Sequence, residues 1–241
     1  MADTASGGSA VPTGHARWYE LCMDTSEESP RLGEFWAAVV GGRLERREGD
    51  PTGNVVVDGL EGGGIAMCPV PEPKTVKHRV HLDVYTADVS DLEALGATVL
   101  VPAEESGFRW TVMADPEGGE LCAFVRPRAE LPEYRLHGVG VDCADPERVA
   151  AWWGDRFGRT PYRNDAAEPW WTLEHVTNDP VLTFDFAPVP EPKTVKNRVH
   201  WDVLGEVADF EAAGATVLDV QPRWTVMADI EGNEFCVFPP R

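Results

Sequence analysis

Apolar and polar residues alternate along much of this chain, and the interruptions are short. Residues 18–24 (WYELCMD) alternate as a strand does, sending successive side chains to opposite faces. A Ser/Glu/Pro cluster then opens residues 31–40 (RLGEFWAAVV), where Leu32, Phe35, Trp36 and Val39 recur at helical spacing, and Gly41 and Gly42 stop the helix. Three β-like runs follow at 43–47, 54–57 and 64–68, split by turn-rich segments such as DPTGN and GLEGGG. The order is β, α, β, β, β. After a PEPKTVK loop it returns, with a strand at 79–84, a short helix near 90–95 and strands at 98–101, 110–114 and 120–125.

The pattern then starts again, with a strand at 138–142, a helix at 146–156 and a strand at 198–203. This second appearance is a duplication: residues 69–84 and 188–203 match at 14 of 16 positions with a constant offset of 119. GATVL recurs at Gly96 and Gly214, and RWTVMAD at Arg109 and Arg223, as the offset falls to 118 and then 114. The chain therefore reads as a tail expected to be disordered (1–14), a first domain (15–126), a Pro-rich linker (127–133) and a second domain (134–241). Each copy holds two βαβββ units. Hairpin-rich strands with helices on one side predict an α+β fold of curved, mostly antiparallel sheets. Two units facing each other would form a cup of eight strands, so each copy is expected to have its own core and its own cup for a small molecule.

Composition narrows the function. The chain has 241 residues, 43% hydrophobic, and no apolar run near the roughly 20 residues of a membrane helix. The N-terminal stretch lacks a basic start and an apolar core, so a cytoplasmic protein is expected. Five cysteines without a CxxC fit reduced, buried thiols. A net charge of −20, from 41 acidic and 21 basic residues, repels phosphate backbones and anionic lipid, so neither nucleic acid nor membrane is an expected partner. GxSxG, Walker-type and HExxH patterns do not occur, which removes the nucleophilic hydrolase, NTPase and zincin readings.

Candidate chemistry lies in RVH-x-DV. His81 and Asp83, and again His200 and Asp202, stand two residues apart and so share a strand face. Such a pair could ligate a metal, act as acid and base, or be a hydrogen-bonded core pair. The loop cations Lys74, Lys77, Arg79, Lys193, Lys196 and Arg198 could draw an anionic substrate to a cup rim, or could pair with nearby acids and lock half-units together. Trp110, Trp201 and Trp224 fall in or beside cup strands and could stack on a flat ligand or fill cores.

The opening DCADPER…WW at 142–153, the middle EPKTVKNRVHWD at 191–202 and the close WTVMADIEGNEFCVF at 224–238 are the residues on which the chain resembles the vicinal oxygen chelate superfamily. That superfamily comprises glyoxalases, bleomycin-resistance proteins and extradiol dioxygenases, and within it the chain looks like a tandem of glyoxalase-like domains. The resemblance implies four βαβββ units forming two cup-shaped half-barrels. It also implies one divalent metal per working cup, held by a first-strand residue, a His and a final-strand Glu. In the first copy those positions are Glu20, His81 and either Glu120 or Cys122, while in the second Gly138 replaces the first ligand and His137 is one residue off, so a single divalent metal ion is expected, in the first domain. A Cys at the final position could ligate as thiolate or simply be a small buried hydrophobe. The implied function is an isomerase, lyase or ring-opening step on an oxygenated metabolite, with His81, Asp83, His200 and Asp202 as the candidate catalytic residues. Its alternatives are sequestration of a drug-like natural product and a purely structural scaffold. Since single-copy relatives often pair, fusion predicts a monomer, with a dimer as the other state.

Overall fold

The computed structural model describes residues 14–26, 29–163, 165, 169–177, 179 and 182–240. The expected N-terminal tail lies outside them except for Gly14. β1 (Arg17–Thr25) leads to α1 (Arg31–Val40), whose apolar stripe Leu32, Phe35, Trp36 and Val39 is buried. Gly41 ends the helix with φ 83°, its N–H donating to the Ala37 carbonyl. Glycine bears that left-handed conformation without the Cβ penalty. β2 (Arg43–Glu45), β3 (Asn54–Val56) and β4 (Ile65–Pro69) complete the first unit.

The second unit is β5 (Val80–Thr86), α2 (Val89–Ala94), β6 (Thr98–Val101), the extra turn α3 (Ala103–Ser106), β7 (Thr111–Ala114) and β8 (Glu120–Val125). A 3₁₀ turn at Arg128–Glu130 lies in the linker. The third unit has β9 (Leu136–Cys143), α4 (Pro146–Phe157), β10 (Trp171–Glu174) and β11 (Thr183–Pro188), with a lone bridge from Tyr162 to Thr172 before the hairpin. Asp145 caps α4 by accepting from the Arg148 N–H. The fourth has β12 (Val199–Leu204), α5 (Val207–Ala212), β13 (Thr216–Val220), β14 (Thr225–Ala228) and β15 (Glu234–Phe238).

These units form two mostly antiparallel sheets, but not one sheet per copy. The eight-stranded sheet runs β13-β14-β15-β12-β1-β4-β3-β2 and the seven-stranded sheet β10-β11-β9-β5-β8-β7-β6. Each takes one unit from each copy, joined at its centre by an antiparallel pair, β1 with β12 or β5 with β9. The separate cup and core expected for each copy therefore do not form. The first strand of every unit has one edge that its own hairpin strands leave unpaired, and the other copy fills it. The core is likewise shared. Trp18 on β1 packs edge-on against Phe184 of the other sheet at 5.9 Å, and a single buried cluster draws on both copies. α1 packs on β2 and β3 and reaches β5, while α4 packs on β9, β10 and β11. Among the described residues no helix is long and apolar enough to cross a membrane.

Candidate functional site

Strand periodicity divides each central strand between core and cup. On β12, Val199, Trp201 and Val203 point to the core, so His200 and Asp202 share the opposite face. Across the antiparallel ladder Glu20 and Cys22 face Asp202 and His200, and across the parallel ladder Cys236 faces Asp202. The result is a compact trio: His200 Nε2 lies 3.6 Å from Asp202 Oδ1 and 3.4 Å from Cys236 Sγ. The seven-stranded sheet repeats it with His81, Asp83 and Cys122, His81 Nε2 being 3.4 Å from Asp83 Oδ1. In each trio the potential ligand atoms all fall within 4.8 Å of one another.

Burial dominates the electrostatics. It drives the His200 imidazole down to about 3, with the nearby Lys196 adding to the effect, and it lowers His81 too, so both rings are neutral at pH 7. It lifts Asp202 and Asp83 well above the usual carboxylate range, helped by the charge of Glu20 in one cup and of Asp185 in the other. The thiols of Cys122 and Cys236 rise for the same first reason, with Asp83 and Asp202 adding to it. Asp83 Oδ1, Asp202 Oδ1 and His200 Nδ1 are buried without a hydrogen-bond partner among the described residues.

The cups differ at the first strand. A Cβ on Gly140 would sit 2.4 Å from the His81 Cε1 and Nε2 atoms, so the imidazole occupies the room that a side chain would take. In the other sheet the equivalent position is Cys22. Gly138 likewise leaves space between Asp83 and Asp185, whereas Glu20 stands beside Asp202. Asp185 is held by Thr172 and Thr183 at 2.5 Å each, and burial raises it as well. Motif and spacing do not single Asp185 out, although a lone acid between the buried Phe184 and Phe186 marks the cup face.

The first strand of each copy, β1 or β9, also carries a bulge. The β5/β9 register slips beside Asp83, which turns His137 onto the cup face, stacked on Tyr85 at 4.5 Å and edge-on to Phe124 at 4.9 Å. The matching slip in β1 sets Tyr19 against Phe238 at 5.1 Å. Beyond them lie the aromatic mouths. Trp110 stacks on Phe108 at 4.5 Å and meets Trp170 edge-on at 6.2 Å, while Trp224 stacks on Phe238 at 5.6 Å.

Other expected site residues are placed elsewhere. Glu20 is separated from His81, Glu120 and Cys122, because β1 and β5 belong to different sheets; it faces Asp202 and, two pairs along the ladder, shares the face of His200. Glu120 takes the Lys74 ammonium at 2.9 Å and the His78 N–H at 2.9 Å, which hold it low although burial alone would raise it. Lys193 binds Glu234 in the same way at 2.7 Å. Lys77 pairs with Asp142, and Lys196 with Asp24 at 2.6 Å. Arg79 donates to the carbonyls of Glu191 and Asp142, and Arg198 to those of Glu72 and Asp24. The two PEPKTVK loops thus grip each other across the copies. Lys77, Arg79, Lys196 and Arg198 line a cleft of about 720 Å³ between the loops. Trp201 is fully buried against Trp153, Phe184 and Phe235, so it is a core residue and does not face the cup.

A family model described as a glyoxalase-like domain matches residues 20–124 and again 138–238. Glyoxalase I from Zea mays is 12% identical, with 93% of this chain and 92% of that one covered and a TM-score of 0.64. A putative dioxygenase from Bacillus subtilis is 13% identical, covering 92% and 84% at a TM-score of 0.60. No curated protein sequence matches. With both halves matched and the paired-sheet architecture in place, the chain belongs to the glyoxalase-like domain family of the vicinal oxygen chelate superfamily, as a tandem of two domains.

Proposed function

We propose that this chain is a glyoxalase-like enzyme acting on a small oxygenated metabolite. Its reaction centre is the cup of the eight-stranded sheet, where His200, Asp202, Cys236 and Glu20 hold one divalent cation. The observation that carries this reading is Asp202 Oδ1, a buried acceptor without a hydrogen-bond partner among the described residues that lies 3.6 Å from His200 Nε2. Leaving a buried acceptor unmade costs about 1–3 kcal/mol, and a cation would offset that cost. A neutral imidazole and a thiol beside a carboxyl form a mixed N, S and O donor set of the kind borderline metals take.

A bound ion would supply a Lewis acid for a substrate carbonyl or hydroxyl oxygen. This chain's own residues would do the rest. Glu20, opposite Asp202 across the ladder, is placed to accept a proton from the substrate and return it, as an isomerase, lyase or ring-opening step requires. The expected metal set thereby changes, taking Glu20 from the first copy and His200 with Cys236 from the second.

Metal analysis of protein purified without chelator tests this. His200→Ala is expected to carry about one equivalent per chain less than the wild type. A metal-free wild type, or a variant that holds as much metal as the wild type, removes the reading.

The aromatic mouth of the seven-stranded sheet favours a second reading for that cup, namely non-catalytic capture of a flat, drug-like natural product by Trp110, Phe108 and Trp170. Tryptophan fluorescence titrated with aromatic natural products should respond in the wild type and lose most of its amplitude in Trp110→Ala. In both readings the chain acts as a cytoplasmic monomer on a small organic molecule, without nucleic acid or membrane.

A further inference from the structure

The cup face of the eight-stranded sheet carries two more thiols that neither reading uses. Cys22 on β1 and Cys68 on β4 bring their Sγ atoms to 2.8 Å. Ordinary non-bonded heavy atoms settle at about 3.5–4.0 Å, and a disulfide bond is about 2.05 Å long. The two thiols are therefore unbonded but pressed together.

Their position follows from register. In the parallel β1/β4 ladder Cys22 faces Ala66 and Asp24 faces Cys68, so the two cysteines are diagonal neighbours on one face. That face is the one carrying His200, which stands across β1 from Cys22. Cys22 is buried while Cys68 is partly exposed, so the pair is reached from one side. The other sheet has no counterpart. Its equivalent positions, two residues before Asp142 on β9 and opposite Asp142 on β11, are Gly140 and Ala187.

We propose that Cys22 and Cys68, in the reduced protein, are a two-thiolate clasp for a soft d¹⁰ cation of the zinc, cadmium or copper(I) class. Thiolates select such ions over magnesium or calcium, which prefer oxygen. Two sulfurs about 2.3 Å from a tetrahedral ion lie about 3.8 Å apart. Opening the pair from 2.8 Å to that span needs side-chain rotation alone, since both Cβ atoms already lean to one face. The ion's remaining positions face the cup. The clasp shares the cup face with the His200 trio, but its sulfurs come from β1 and β4, neither of which supplies the trio.

Cadmium is the probe. The full chain, reduced, freed of metal and kept from air, is titrated with Cd²⁺ while the ultraviolet thiolate-to-cadmium absorbance is followed. In a His200→Ala/Cys236→Ser background, where the trio cannot contribute, a band saturating at one equivalent per clasp is expected. Cys22→Ser and Cys68→Ser should each remove about half of it and weaken binding at least tenfold, with Cys22→Ala guarding against a folding defect from a buried hydroxyl. Cys143→Ala should leave it unchanged. The double variant His200→Ala/Cys236→Ser should keep the clasp's band, which separates this site from the trio. No band, or a band lost only with Cys236, would overturn the proposal. So would a pair that remains disulfide-bonded in excess reductant, seen as a mass two daltons low.

Discussion

At the scale of single residues, the two cups show how one missing side chain redirects another. Gly140 is conspicuous in a strand because it has nothing to pack, yet its bareness is what admits His81. Gly140→Ala should therefore push the imidazole off its seat and cost about 1–3 kcal/mol, typical of overpacking. Urea unfolding would check the loss, and the His81 ring signals in an NMR spectrum should shift more than those of His200. His78 offers a second test, since Asn197 stands at its place in the other copy. Burial holds the His78 ring at about 4, below its unfolded value near 6.5, so the unfolded chain binds the extra proton between those limits. Its contribution is complete above pH 6.5 and is lost as pH falls toward 4. Between pH 7 and 5 the loss is about 2 kcal/mol, so His78→Asn should flatten the stability profile of the wild type by that amount over this range. An equal loss of stability between pH 7 and 5 for wild type and His78→Asn, read from urea midpoints, would contradict it.

At the scale of elements, the loops matter more than their exposure suggests. Arg43 and Asp58 form a surface pair with more than half of each side chain exposed, and such pairs contribute under about 1 kcal/mol. Arg198 is different. Its side chain is 12% exposed, it lies 3.6 Å from the equally sheltered Glu117, and it closes on two carbonyls of the first copy. Arg198→Met would leave Glu117 buried without that cation, and a loss of about 3 kcal/mol is expected. Calorimetry should show a clearly lowered Tm for Arg198→Met and almost none for Arg43→Met. The duplicated PEPKTVK segment is thus kept alike because each loop is the other's partner. The sequence could name the charges but not their partners, which lie from 41 to 174 residues away.

At the scale of the molecule, the exchange of units sets both assembly and site. β1 finds its central neighbour only in β12, and β5 only in β9, so neither copy alone can finish a sheet. The second copy produced by itself, as residues 134–241, should pair with another of its kind, since an isologous dimer closes the same edges. Light scattering after size exclusion should report a dimer that loses structure on dilution. A folded monomer would show that a copy can close on itself. The intact chain makes the same contacts internally.

Much is legible in the sequence by itself, because some signals are local. Alternation and helical spacing determine elements within a few residues, and a constant offset determines duplication; the helix at 31–40 and the strands at 98–101 and 120–125 follow from such signals and stand where they place them. The His and Asp of RVH-x-DV share a face by strand geometry alone. Which face holds Trp201, which glutamates are already spoken for, and which first-strand residue meets which histidine are different matters. They depend on pairing between strands distant in the chain, and period-two alternation carries no record of the partner. Tertiary structure alone moved Glu20 from His81 to the side of His200, turned His137 inward through a bulge and set Cys22 against Cys68. The physical reason is that a strand's unsatisfied edge is closed by whichever strand the whole chain brings to it.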